Sequence, residues 1–163
     1  FGQGVSVTPI QQITAVSAAI NGGTLYKPYV VKSLNEPVTN TVVKQNEPTK
    51  VRTVISEETS KKVRETLESV VTNGTGRPAY IEGYRVGGKT GTAQKVQNGR
   101  YMVGNYIVSF IGFLPADDPE IIVYVAVDNA KGVTQYGGTI AAPIAKNVLT
   151  DAISILNIKK RKS

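Results

Sequence analysis

The sequence contains no histidine and no cysteine. Its residues therefore cannot form a Ser-His-Asp triad, a Cys-His pair, a zinc site of the usual ligand types or a disulfide. If the chain takes part in catalysis, proton transfer falls to lysine, carboxylates, tyrosine or water, and covalent attack falls to serine, threonine or lysine. We expect no metal ion and no other cofactor.

Long hydrophobic segments are absent as well. No stretch reaches the roughly 18 consecutive apolar residues that indicate a membrane-spanning helix, and residues 1–8 lack the charged and then apolar pattern of a signal peptide. Any membrane anchor is therefore expected outside this chain. A length of 163 residues with 40% hydrophobic side chains is sufficient for one domain with a core of its own.

The formal net charge is +7, but the basic residues are unevenly placed. Lys159, Lys160, Arg161 and Lys162 supply four of these charges at the end of the chain, which leaves only +3 for the rest. A terminal basic run is typical of a solvated tail. We therefore expect a domain over residues 1–158, a basic tail over 159–163, and no nucleic-acid partner.

Apolar periodicity and end signals predict three helices. The first begins after Thr8, where Pro9 and Gln11 complete a capping pattern, and it ends at the polar and glycine residues 21–23. The second begins at Ser56 and ends at 73–76, and the third covers about 139–157 with Pro143 in its first turn. The core-facing stripe predicted for the third helix is Ile144, Val148, Ala152, Ile155 and Leu156.

Three strands are predicted over about 84–96, 105–114 and 120–128. The second and third carry apolar residues on both faces, which indicates strands covered on both sides. The connections at 98–99 and 115–119 are too short for parallel crossovers, so the strands form an antiparallel meander. Residues 25–31 are predicted to be extended, and 35–50 to be a polar surface excursion. The fold class is therefore α/β of the α+β kind, an antiparallel sheet packed by helices.

Residues 83–90 match the phosphate-loop pattern G-x-x-x-x-G-K-[ST], and Asp128 ends an apolar strand as a magnesium ligand would. A phosphate loop requires a helix directly after its Lys-Thr, because the first amides of that helix hold the anion. Here Thr90 leads into a predicted strand of an antiparallel meander. A phosphate-loop nucleotidase is therefore the weaker alternative.

Lys89-Thr90-Gly91 on a strand is one of the signatures of penicillin-binding proteins and serine β-lactamases. Other segments accompany it in a characteristic order: Phe1-Gly2-Gln3-Gly4, Val7-Thr8-Pro9, Gly83 to Gln94, Phe110-Ile111-Gly112-Phe113, Leu114-Pro115-Ala116, Tyr136-Gly137-Gly138 and Ala142-Pro143. Over residues 1–157 the sequence resembles the second half of the transpeptidase domain of class B penicillin-binding proteins. Gram-positive division and stage V sporulation members are the most similar.

The resemblance implies a serine nucleophile in a Ser-x-x-Lys motif, followed by a Ser-x-Asn motif. No serine of this sequence has a lysine three positions later. Ser33-Leu34-Asn35 spells the second motif, but it follows the Phe-Gly-Gln-Gly landmark instead of preceding it, so we interpret it as a coincidence. The expected partner is therefore the upstream half of the same domain, and this chain alone is predicted to be inactive.

The resemblance also implies roles for the residues around the tripeptide. Lys89 is the cation that attracts the substrate carboxylate, Thr90 and Thr92 offer hydroxyls to it, and Gly88 and Gly91 belong to the strand along which the peptide lies. The Thr92 backbone N–H is the second oxyanion-hole donor. The implied substrates are D-Ala-D-Ala peptide stems of peptidoglycan and β-lactam antibiotics, at the extracytoplasmic face of the bacterial membrane.

Two points stay open at the level of sequence. A non-catalytic wall-binding domain could use the same sheet. The glycine-containing segments 74–76 and 137–138 are explained equally well by helix ends and turns or by a role in framing the cleft.

Overall fold

The computed structural model describes residues 3–161. Phe1 and Gly2, the first half of one sequence landmark, and Lys162 and Ser163 of the predicted tail lie outside the described residues. Within 3–161 the helices are α1 (Pro9–Ile20), α2 (Glu57–Asn73) and α3 (Gly137–Leu156), with a 3-10 turn at Arg77–Ala79. The strands are β1 (Thr24–Lys27), β2 (Ser33–Asn35), β3 (Val42–Gln45), β4 (Thr49–Thr53), β5 (Gly87–Gln97), β6 (Arg100–Leu114) and β7 (Ile121–Asp128).

The predicted starts of the first two helices are confirmed. The Thr8 side chain accepts a hydrogen bond from the Gln11 amide at 3.3 Å, and the Gln11 side chain accepts one from the Thr8 amide at 2.8 Å. This reciprocal pair is the capping box. At α2 the Ser56 hydroxyl accepts from the Thr59 amide at 3.1 Å. Both helices therefore begin where a side-chain oxygen replaces a missing backbone acceptor.

The predicted antiparallel meander is confirmed in the order β5-β6-β7. β5 and β6 are joined by Asn98 and Gly99, both with positive φ, which a two-residue hairpin turn requires. Strand β6 begins at Arg100, five residues earlier than expected, because the hairpin continues beyond the apolar part of the strand. The sheet brings Lys89 opposite Ile111 and keeps β5 at one edge.

Both faces of β6 are buried from residue 108 to its end at Leu114, as the apolar part of its sequence predicts. Phe110 and Leu114 pack on one face with α3 and with Val71 of α2. Phe113 packs on the other face with Ile20 of α1 and with Val63 and Leu67 of α2. Because neighbouring residues of a strand point to opposite faces, a single apolar strand serves both parts of the core.

The predicted core face of α3 is wrong except at Ala152. Ile144, Val148 and Ile155 are 43%, 42% and 76% exposed, whereas the buried residues are Gly137, Ala141, Ala142, Ala145, Leu149, Ala152 and Ile153. The small side chains let the helix axis approach the sheet closely, so the larger residues are left facing outward. The helix also begins at Gly137, which puts Pro143 in its second turn and not in the first.

Among residues 3–161, α3 is the one helix that is long and apolar enough to cross a membrane on length and composition alone. In this fold its alanine-rich face is buried against the sheet, as in the core helix of a globular domain.

The segment predicted as a surface excursion contains paired strands. β2 and β3 form a hairpin with Ser33 opposite Gln45, and β4 pairs with β1. β1 ends at Lys27, just before Pro28. The side chains of β3 and β4 are all exposed, so they lack the alternating apolar pattern from which a strand is predicted.

The basic end of the chain lies partly against the domain. Ile158 is buried in the core, and the Arg161 amide donates to the Gly83 carbonyl at 3.1 Å. The Arg161 guanidinium lies 3.0 Å from an Asp117 oxygen. Lys159 is exposed as expected, whereas Arg161 is held in place and is not part of a solvated tail.

We expect the Arg161–Asp117 pair to stabilise the protein except in acid. Burial raises the pKa of Asp117, but the hydrogen bond from Arg161, an intraresidue backbone hydrogen bond and the charges of Arg161 and Arg85 outweigh it and lower the pKa. A lowered pKa gives stability that is present above the unfolded-state value and lost as the pH falls through the folded-state value. Arg161→Gln should therefore cost up to about 1 kcal/mol at neutral pH, and progressively less as the pH falls below the ordinary titration range of an aspartate.

Thermal denaturation from neutral to acid pH measures the effect. Lys159→Gln is the control, because Lys159 has no ion-pair partner among residues 3–161. An equal loss in the two variants, or a loss that does not change with pH, would contradict the proposed pairing.

Candidate functional site

The Lys-Thr-Gly-Thr sequence lies on β5, the edge strand of the three-stranded sheet. Lys89 is exposed, and residues 90–95 are half-buried. Within the described part of the chain, no strand pairs with the other edge of β5. An edge of this kind can pair with an extended peptide through backbone hydrogen bonds.

The phosphate-loop alternative is wrong. Lys89 and Thr90 lie inside β5, opposite Ile111 and Phe110, and no helix begins after them until α3. Asp128 would be the magnesium ligand in that alternative, but its two carboxylate oxygens accept hydrogen bonds from the Lys95 ammonium at 2.6 and 2.8 Å. Without a helix N-terminus behind the lysine, this segment has no phosphate cradle.

The glycines before the lysine serve packing. A Cβ atom on Gly87 would lie 2.3 Å from the ring of Phe113, and one on Gly88 would lie 2.4 Å from the ring of Phe110. Both glycines are buried, so the two rings occupy the space that side chains would need. Gly88, a predicted substrate contact, could offer a ligand only its backbone.

Thr90 and Thr92 are each contacted by a residue from outside the sheet. The Thr90 hydroxyl lies 3.0 Å from the hydroxyl of Thr75, in the turn that follows α2. The Thr92 hydroxyl accepts a hydrogen bond from the amide of Gly137, the first residue of α3, at 3.3 Å. The segments 74–76 and 137–138 thus both contact β5. These contacts favour the interpretation that the two segments frame the cleft over the interpretation that they only end helices and form turns.

The first turn of α3 touches the sheet directly. A Cβ atom on Gly137 would lie 2.3 Å from the Ser109 carbonyl oxygen and 2.6 Å from that of Gly91, and one on Gly138 would lie 2.5 Å from the Thr75 carbonyl oxygen. Real Cβ atoms do not come so close to backbone atoms. The Gly-Gly pair is therefore required by this contact and not by a special backbone angle.

The Lys89 side chain leaves β5 on the opposite face, since side chains alternate along a strand, but its ammonium reaches back to the strand backbone beside Thr90. Its ammonium donates to the Thr90 carbonyl at 2.9 Å. Among residues 3–161 no carboxylate lies within ion-pair distance of it, whereas Lys95, farther along β5, is paired with Asp128. The strand thus presents an exposed cation that no acidic side chain of the described residues neutralises, and this favours an anionic ligand.

Ser33-Leu34-Asn35 forms β2 in a two-stranded sheet separate from the one that carries Lys89. This position agrees with its interpretation as a coincidence. Sequence reasoning did not identify Thr75 or Ser109 as neighbours of the site. The Gly-Thr-Gly signal marked the turn at 74–76 without showing that its threonine reaches β5.

Comparison with known proteins agrees with the resemblance found in the sequence. The model of the penicillin binding protein transpeptidase domain matches residues 1–150. The chain belongs to this transpeptidase family. The predicted resemblance is confirmed.

Two curated relatives illustrate the similarity. Stage V sporulation protein D of Bacillus subtilis is 64% identical over 163 residues, which are all of this chain and 25% of the relative. A probable peptidoglycan D,D-transpeptidase, PenA of Neisseria flavescens, is 36% identical over 99% of this chain and 38% of the relative. The chain therefore spans well under half the length of these two relatives.

The fold is also that of solved penicillin-binding proteins. Penicillin-binding protein 3 of Mycobacterium tuberculosis, solved in complex with ampicillin, superimposes with a TM-score of 0.84 at 29% identity, over 99% of this chain and 38% of that one. The predicted fold class, helices packed on an antiparallel sheet in a penicillin-binding transpeptidase arrangement, is confirmed.

Proposed function

We propose that this chain is the C-terminal part of a serine-type peptidoglycan D,D-transpeptidase domain that is acylated by β-lactams. The observation that carries the proposal is the Lys89-Thr90-Gly91-Thr92 sequence on a free sheet edge, with a cation that has no acidic partner among the described residues. Membership of the transpeptidase family supports the same activity.

In this proposal β5 binds the acyl donor. The Lys89 ammonium attracts the C-terminal carboxylate of the peptide stem, and the Thr90 and Thr92 hydroxyls donate to it. The backbone of Gly91 allows the peptide to lie against the strand. The Thr92 N–H stabilises the oxyanion together with the N–H of the nucleophilic serine, and one such donor contributes about 3 kcal/mol to transition-state stabilisation in a serine protease.

The reaction is acyl transfer from a D-Ala-D-Ala stem. The serine oxygen attacks the carbonyl carbon of the penultimate D-Ala, and the peptide nitrogen takes a proton as the last D-Ala leaves. The amine of a neighbouring stem then attacks the ester and releases the serine. A β-lactam undergoes the first step by ring opening, and its leaving nitrogen stays attached to the acyl group. This chemistry would take place at the extracytoplasmic face of the membrane.

The nucleophile is proposed to lie on the upstream half of the same domain, because no Ser-x-x-Lys motif occurs in this sequence. Exposed apolar groups support such a partner: Ile144, Val148 and Ile155 on α3 are 42–76% exposed, and Ile10 on α1 is 53% exposed. An apolar groove between α1 and β1, lined by Ile10, Leu25 and Pro28 among others, is open as well. A packed upstream half would cover surfaces of this kind.

Labelling with a fluorescent penicillin tests the proposal. We expect a protein that contains both halves of the domain to be acylated, and this chain alone to remain unlabelled, because it lacks the serine.

Acylation of the isolated chain would place the nucleophile within it and contradict the assignment. If the complete domain carries an intact Ser-x-x-Lys motif and binds stem peptides without becoming labelled, the domain binds cell wall and is not a transpeptidase.

A further inference from the structure

Thr75 is held rigidly beside the Lys-Thr-Gly strand. The amides of Gly74 and Gly76 both donate to the Val70 carbonyl, at 3.1 and 3.0 Å, and so close the end of α2 around it. On the other side Gly138 lies so close that a Cβ atom there would be 2.5 Å from the Thr75 carbonyl oxygen. The end of α2 and the beginning of α3 therefore fix the backbone of Thr75 from two directions.

The Thr75 side chain is directed at Thr90. Their hydroxyl oxygens are 3.0 Å apart although the residues are separated by 15 positions, and either oxygen could be the donor. Among the described residues, neither side chain makes any other hydrogen bond. Thr75 is exposed, so burial does not explain why its hydroxyl is directed to β5.

The hydrogen bond at the neighbouring Thr92 indicates which of the two hydroxyls, Thr75 or Thr90, is the donor in their pair. The Gly137 amide can only donate, so it occupies a lone pair of the Thr92 hydroxyl and leaves the Thr92 hydrogen free for a ligand. A hydroxyl has one hydrogen to donate and two lone pairs. If Thr75 donates to Thr90, the Thr90 hydrogen is likewise free to point at the cleft.

We propose that Thr75 is a positioning residue: it donates to the Thr90 hydroxyl and thereby directs the Thr90 hydrogen towards the carboxylate of the acyl donor. The inference rests on the proposed function, because it assumes that Thr90 contacts that carboxylate. In this role Thr75 acts through Thr90 and not by a contact of its own with the carboxylate.

The test compares Thr75→Val, which keeps the shape and removes the hydroxyl, with Thr75→Ser, which keeps the hydroxyl, in a protein containing both halves of the domain. Acylation is followed with a penicillin and with the methyl ester of the same penicillin. We expect Thr75→Val to weaken the apparent affinity for the penicillin about tenfold, the scale of one hydrogen bond to a charged group. The limiting acylation rate should be retained, Thr75→Ser should restore the affinity, and the ester should react alike with all variants.

The outcomes separate the inference from the function on which it rests. If Thr90→Val does not affect acylation, the proposed role of Thr90 is wrong. If Thr90→Val weakens binding and Thr75→Val does not, only the positioning role is wrong. An equal loss for acid and ester would mean that Thr75 is merely structural and would overturn the inference.

The double variant Thr75→Val/Thr90→Val should be no worse than Thr90→Val alone, since the two groups act through one contact. Additive losses would also overturn the inference. If Thr75→Val does not fold, Thr75→Ala takes its place in the same comparison with Thr75→Ser.

Discussion

Replacing Lys89 with alanine is expected to slow acylation of the complete domain about 100-fold without unfolding it, since a hydrogen bond to a charged group contributes roughly 1.5–3 kcal/mol. The side chain is exposed and makes one hydrogen bond within the described residues, to the Thr90 carbonyl. Little folding energy therefore depends on it. Its positive charge, in contrast, is the feature of β5 best suited to attract a carboxylate.

The second-order rate constant for a fluorescent penicillin measures this effect, and a thermal melt checks the fold. Lys95→Ala is the matched control, because Lys95 lies on the same strand but its charge is neutralised by Asp128. A comparable loss in both variants would indicate a general electrostatic effect. Unchanged kinetics for Lys89→Ala would remove the residue from the proposed site.

Gly137→Ala is expected to destabilise the protein by about 2–3 kcal/mol, in the range of overpacked cores, and to slow acylation as well. The added methyl group would lie 2.3 and 2.6 Å from two carbonyl oxygens of β5 and β6, which cannot rotate away as side chains do. The first turn of α3 must then move off the sheet. That movement would also break the hydrogen bond from the Gly137 amide to Thr92.

Chemical denaturation and penicillin acylation measure the two effects. Thr139→Ala is the control, because this residue lies in the same helical turn and is exposed. Equal stability of the two variants would show that the helix end is free to adjust, in contradiction to the close contact described above. A loss of stability without any effect on acylation would separate α3 from the binding strand.

Local signals allowed much of the fold to be predicted. The starts of α1 and α2 follow from Thr8 and Ser56, whose side chains bond to amides within three residues, so the necessary information lies in a short segment. The meander follows from connections that are too short for a crossover. The same short connections argue against a phosphate loop at the Lys-Thr-Gly segment, although its residues match the phosphate-loop sequence pattern.

Where two interpretations of one pattern were possible, local signals were insufficient. Helix α3 has an alanine face and an isoleucine–valine face, and the prediction selected the larger side chains. The sheet selects the alanine face, because close approach at Gly137 and Ala141 leaves no room for bulk. The exposed strands β3 and β4 are held by backbone pairing, which leaves no trace in hydrophobicity.

The amino-acid sequence by itself therefore determined the fold class, the family resemblance and the position of Lys89, Thr90 and Thr92 on a strand, because caps, turns and short motifs act within a few residues. Only the tertiary structure decided which face of α3 is buried and that Thr75 and Gly137 contact the threonines of β5. These contacts join positions 15 and 45 residues apart, and such separations are set by how helices pack on the sheet and not by any local preference.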